Sequence, residues 1–60
     1  MTKTQAILRT EVTTNGQKAK IADIDEVGIY INYWAGPNQY GRFIWFDDME
    51  FVTMEVIDVE

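Results

Sequence analysis

Three carboxylates stand close together in the stretch "DDME", at Asp47, Asp48 and Glu50. Carboxylates at this spacing can hold a metal or move a proton. Here they lack the rest of the machinery. The 60 residues contain no His, no Cys and no Ser, so threonine supplies the hydroxyl nucleophiles and no base stands by to activate them. A chain this short has no room for a substrate cleft, and no basic residue follows to orient a substrate. The expected role of the three acids is hydrogen bonding at the start of a helical turn. A second acidic run, "DIDEVG", places Asp23 and Asp25 at alternate positions with Gly28 at the sixth, as in a calcium loop. Its fifth position is Val27 and its twelfth is Trp34, where such a loop needs oxygen ligands. A tight turn between strands explains the same residues. The sequence therefore predicts no enzyme, no cofactor and no metal.

The other chemistry-bearing residues are aromatic. Six of the eight rings fall in "YWAGPNQYGRFIWF", residues 33 to 46, with Tyr30 and Phe51 just outside. Tyr30, Trp34, Tyr40 and Trp45 beside Asp47 or Asp48 have the residue types of a cage for a methylated amine. Stacking of nucleic-acid bases on the same rings needs nearby cations. Arg42 is the one cation in this part of the sequence, so nucleic acid is not the expected partner.

The charge is −5 and unevenly spread. Residues 1–20 carry Lys3, Arg9, Lys18 and Lys20 against Glu11, whereas residues 21–60 carry nine acids against Arg42. A phosphate backbone or an anionic membrane calls for clustered Lys and Arg. The acidic balance favours a basic partner, or serves solubility alone. With 47% hydrophobic residues the chain reads as globular. Its longest apolar run is far short of a membrane span, and the start "MTKTQAILRTE" lacks the apolar region of a signal peptide. A whole, small cytoplasmic protein is expected, forming a single domain over residues 1–60. At this length stability is marginal and self-association is one way to supplement it.

The elements that must position these residues read as five strands. Residues 4–13 form the first. Asn15-Gly16 then gives a type I′ hairpin signal, because both central residues need positive φ. The second strand covers 19–25, and Asp25–Gly28 turns the chain. The third covers 28–34. Residues 35–41, "AGPNQYG", form a loop rich in turn residues, and 42–46 are the fourth strand. A single helical turn at 47–50 precedes a fifth strand at 51–57. Short strands and tight turns in so few residues favour a closed barrel, which removes exposed edges.

The stretch "GRFIWFDDMEFV" (41–52) resembles the Gly–strand–single-turn–aromatic–Val ending of SH3-type domains. With three hairpin-linked strands before it, the chain is similar in layout to an SH3-like small barrel. The resemblance implies an all-β, five-stranded SH3-like barrel with one short helical turn before the last strand. The acidic-aromatic first-loop motif that SH3 domains use for proline-rich ligands is missing, and Asp47 replaces the Pro before the helical turn. The resemblance therefore implies the fold and not the ligand. Aromatic cages occur on barrels of this type.

Strand alternation divides the rings. Ile29, Ile31 and Tyr33 share the core face of the third strand. The layout adds Ile44 and Phe46 from the fourth, Val52 and either Met54 or Val56 from the fifth, and Leu8, Ile21 and Val12 from the first two. Tyr30, Trp34, Tyr40, Phe43 and Trp45 cannot all fit as well. The second face of the hairpin is expected to carry Tyr30, Trp34, Phe43 and Trp45 side by side. There they either brace a bent sheet or form a binding surface. The expected function is protein binding by an inhibitor or accessory module through Tyr30, Trp34, Tyr40, Phe43 and Trp45, bordered by Asp47, Asp48 and Glu50. The partner would present an apolar patch ringed by Lys or Arg. Two alternatives belong to other classes. An acidic nucleic-acid mimic would align Asp23, Asp25, Glu26, Asp47, Asp48, Glu50 and Glu55. A self-associating structural protein would pair "FVTMEVI" (51–57) edge to edge.

Overall fold

The computed structural model describes residues 1–57. After a single 3₁₀ turn at Lys3–Gln5 the chain forms β1 (Glu11–Thr14), β2 (Gln17–Ile24), β3 (Gly28–Ala35), β4 (Asn38–Trp45), α1 (Met49–Thr53) and β5 (Glu55–Val56). The class is all-β, with one antiparallel sheet in the order β4-β3-β2-β1-β5. No helix among the described residues is long and apolar enough to cross a membrane.

The turns follow from backbone sterics. Asn15 and Gly16 take φ of 53° and 77°, the type I′ pattern expected at this dipeptide. Between β3 and β4 only Gly36 of the Gly36-Pro37 pair has positive φ, at 65°, which fits a type II′ turn. Both flanking strands run straight into that turn, with Ala35 opposite Asn38. The loop expected at 35–41 is therefore a two-residue hairpin, and β4 begins four residues earlier than the sequence suggests. The opposite happens at the N-terminus. Only residues 11–13 of the expected strand 4–13 lie in the sheet, within β1, and Arg9 has φ of 69°, which interrupts a strand. Arg9 N–H still donates to the Ile21 carbonyl (2.9 Å) and Ile21 N–H to the Thr10 carbonyl (3.1 Å), so this segment lies against β2.

The expected barrel does not close among the described residues. Phe51–Thr53 belong to α1, not to a fifth strand over 51–57, and β5 is two residues long and pairs with β1 alone. Among the described residues β4 is an open edge of the sheet.

One face of the curved sheet holds the core: Val12, Ala19, Ile21, Ile29, Ile31 and Ile44 are buried, and Ala6, Phe51 and Met54 close over them. Each fully buried Ile or Val contributes about 1.5–3 kcal/mol. Tyr33 and Phe46 pack at the margin of this cluster. Two expected core residues, Leu8 and Val52, are exposed, and of the pair Met54 or Val56 it is Met54 that is buried. The helical period of α1 explains the exchange of Val52 for Phe51, whose ring meets Phe46 edge-on at 5.0 Å.

Candidate functional site

Register assigns the outer face of the sheet. β3 presents Gly28, Tyr30, Asn32 and Trp34 there. β4 sets Trp45, Phe43, Gly41 and Gln39 directly across from them. Tyr30, Trp34, Phe43 and Trp45 thus share one face, as expected, and all four are exposed, from 36% at Phe43 to 56% at Trp45.

Three of these rings form a unit. Phe43 and Trp45 meet edge-to-face, with centroids 5.2 Å apart. Tyr30 stands opposite Phe43. Each ring of that pair lies over a glycine on the neighbouring strand. A Cβ on Gly28 would stand 2.7 Å from Phe43 Cζ, and one on Gly41 would stand 2.6 Å from Tyr30 Cε1 and Cζ. Real carbon atoms do not approach so closely, so the two glycines are the seats that let the rings lie flat on the sheet. Trp34 stands apart. The Asn32–Gly41 row separates it from Phe43 and Tyr30, and it borders a hollow with Glu11, Lys18, Lys20 and Ile57. The Trp34 carbonyl accepts from Gln17 Nε2 at 3.0 Å.

Tyr40 belongs to the other face. It pairs with Tyr33 and stacks on its ring at 5.7 Å. The cage expected from Tyr30, Trp34, Tyr40 and Trp45 is consequently not assembled. The strand parity that places Phe43 and Trp45 on the outer face places Tyr40 on the core-side face, still exposed at the sheet edge, once β4 extends back to Asn38.

The acids are redistributed too. Asp48 caps α1, its Oδ1 accepting from Glu50 N–H at 3.0 Å, which is the role expected for this run. Asp47 is exposed in the turn after Trp45. Glu50 does not border the rings. Its carboxylate takes both Arg42 guanidinium nitrogens and the Thr14 hydroxyl, with Asn15 Nδ2 at 3.3 Å. The bidentate Arg42 contact holds the Glu50 carboxyl below its ordinary range, helped by the Thr14 hydrogen bond. The same pair raises Arg42. This network ties α1 to β4 and to the β1 end.

In place of Glu50 the rings gain Asp23. A bulge between Ile21 and Asp23 shifts the β2–β3 register, so that Ile21 faces Ile31 but Asp23 faces Tyr30. Strict alternation from Ile21 would have sent Asp23 inward. The bulge turns it out, and Asp23 and Asp25 join Tyr30 and Phe43 around a hollow of about 200 Å³. Asp23 Oδ1 accepts from Ile24 N–H at 2.8 Å, which fixes one side of its carboxylate on the turn. Alternating hydrophobicity carries no mark of this bulge. Asp23, a carboxylate at the position that strict alternation from Ile21 would turn inward, is the one signal in the sequence that could have found it.

Among the described residues, no three acidic side chains converge to hold a metal ion. On the outer face Lys18 and the Lys20–Glu11 pair (4.0 Å) stand at the Trp34 end, and Asp23 and Asp25 at the Tyr30–Phe43 end. The face therefore runs from an aromatic strip bordered by Asp23 and Asp25, with Asp47 exposed in the turn that follows Trp45, through the Asn32–Gly41 row to a tryptophan beside Lys18 and the Lys20–Glu11 pair. Compared with models of known families, with characterised proteins and with solved structures, the chain shows no significant match.

Proposed function

We propose that the protein is a non-catalytic protein-binding module whose contact surface is the strip Tyr30–Phe43–Trp45, with Asp23, Asp25 and Asp47 at its rim. One observation carries the reading. Phe43 is held against Trp45 and over Gly28, and Tyr30 lies over Gly41, yet all three rings remain open to water while the core is filled from the opposite face. Rings with few rotatable bonds that are already held in place lose little entropy on binding, which is why Trp and Tyr dominate binding hot spots. A contiguous exposed apolar patch of this kind marks an interaction surface. The rim acids select a partner with an apolar patch flanked by Lys or Arg. The scaffold is read as an SH3-like layout opened at β4.

The nucleic-acid mimic is the weaker reading. Glu50 is drawn into its ion pair with Arg42, and Glu55 stands on the edge strand opposite β4. The acids then form a cluster at one end of the sheet instead of an array along it.

The test compares the immobilised chain with its Trp45→Ser and Tyr30→Ser variants as bait, each checked for a native circular-dichroism spectrum. Proteins retained by the parent and lost by both variants, with retention little changed by salt, support the reading. Retention unchanged by either substitution refutes it. Retention that collapses with ionic strength and ignores the rings supports mimicry instead.

A further inference from the structure

We propose that the open edge of β4 is a self-association site, where two copies of this chain pair antiparallel and join their sheets into one. This goes beyond the partner surface described above and does not rest on it, because it uses backbone groups in the plane of the sheet and not the rings on its face.

The edge is unguarded. β4 is eight residues long and pairs with β3 without a break in register. Proteins blunt such edges with lysines, prolines, bulges or very short strands. The bulge of this sheet lies in β2, and its other edge strand is two residues long. β4 has none of these devices. Its one charged residue, Arg42, is already bound to Glu50 of its own chain.

The groups on offer can be named. Phe46 N–H donates to the Val27 carbonyl. By antiparallel alternation Ile44, Arg42, Tyr40 and Asn38 then hydrogen-bond to β3. Gln39, Gly41 and Phe43 therefore point both N–H and C=O away from the sheet. The Trp45 carbonyl also points away, but it accepts from Asp48 N–H at 3.0 Å.

A second copy fits this pattern in one register. With Gly41 on the two-fold axis, Gly41 faces the partner's Gly41 and Gln39 faces the partner's Phe43. Trp45, whose carbonyl is taken, faces the partner's Pro37, which has no N–H to give. On the core side Arg42 comes opposite the partner's Tyr40, an exposed ring at the edge suited to a cation–π contact. Sliding the register by two residues in one direction would set Arg42 against the partner's Arg42, and in the other would set Phe43 against the partner's Pro37, leaving the Phe43 carbonyl without a donor. Charge agrees with the choice of occupant. Asn38–Trp45 carries no acid, so two chains of net charge −5 can meet there without opposing carboxylates.

The experiment follows amide hydrogen exchange of the full chain by NMR from micromolar to millimolar concentration, with sedimentation at the same concentrations. Amides of Tyr40, Arg42 and Ile44 should be protected throughout, since they bond to β3. Those of Gln39, Gly41 and Phe43 should gain protection only as dimer forms. A sample mixed from differently labelled chains should show a nuclear Overhauser effect between Hα of Tyr40 and Hα of the partner's Arg42. A chain that stays monomeric at millimolar concentration overturns the proposal. So does a dimer in which the Gln39, Gly41 and Phe43 amides still exchange freely.

Discussion

Replacing Gly28 by Ala should destabilise the fold, whereas the same change at Gly41 should be close to neutral, although both glycines seat a ring of the outer face. At Gly28 the new methyl would meet the backbone carbonyl of Ile44 as well as the Phe43 ring. A carbonyl in a ladder cannot yield without parting β3 from β4. Overpacking of this kind costs about 1–3 kcal/mol, against a gain of about 0.4–1 kcal/mol from reduced freedom of the unfolded chain. The net loss is about 1–2 kcal/mol, and each kcal/mol lowers the Tm of a domain this size by about 4–8 °C. At Gly41 the nearest obstacles are all the outer end of the Tyr30 ring. That ring can swing aside for an off-rotamer cost of about 0.5–1.5 kcal/mol, which the entropy gain largely cancels. Urea and thermal melts followed by circular dichroism measure both values. A Gly28→Ala/Phe43→Ala pair should recover part of the loss, because the ring clash is relieved and the carbonyl clash is not. A Gly28→Ala variant as stable as the parent would mean that the Ile44 carbonyl does not close over Gly28, and the tight approach of β3 and β4 at this row would be wrong.

Two neighbouring residues of α1 should behave oppositely. Phe51→Ala should cost about 3–5 kcal/mol as a buried aromatic deletion, and Val52→Ala less than about 0.5 kcal/mol as a surface change; equal losses in urea melts would restore a strand over this segment. Glu50 sets an acid limit. Its carboxyl is held low in the folded chain by Arg42 and Thr14, so the unfolded chain takes up the proton first. The stability it contributes is full above the ordinary Glu range, about pH 4.3, and is lost as pH falls below that towards the folded value. Glu50→Gln should lower stability at neutral pH and remove this part of the acid dependence in melts taken between neutral pH and acid; a variant with the parent's pH profile would contradict the assignment.

Much of this arrangement is legible in the chain, and the failures have local causes. Asn15-Gly16 marks its hairpin because the turn's positive φ values are a property of those two residues. The alternation of "GIYINYW" places Ile29 and Ile31 inside and Tyr30 and Trp34 outside without further help. "AGPNQYG" misleads because Gly, Pro and Asn mark turns without fixing their length. A type II′ turn consumes only Gly36 and Pro37, and the rest becomes strand. Tyr40, read as a loop residue, lands on the core-side face of β4 as a direct consequence. "FVTMEVI" has strand composition, but Asp48 caps a helix and Glu50 is fixed by Arg42 and Thr14, which lie eight and thirty-six residues away. Contacts at that separation leave no trace in local pattern. The bulge that brings Asp23 to the rings is equally invisible to a period of two. The strip of rings was legible, while the acids at its rim were set by tertiary structure.

The most direct test of the exposed aromatic strip is tryptophan fluorescence of a folded Trp34→Phe variant, in which Trp45 is the sole emitter, with acrylamide quenching. Red-shifted emission that acrylamide quenches readily, in a sample whose circular dichroism is native, is the result expected for a strip open to water. Blue-shifted, protected emission that persists on dilution would place Trp45 in the core and contradict the account.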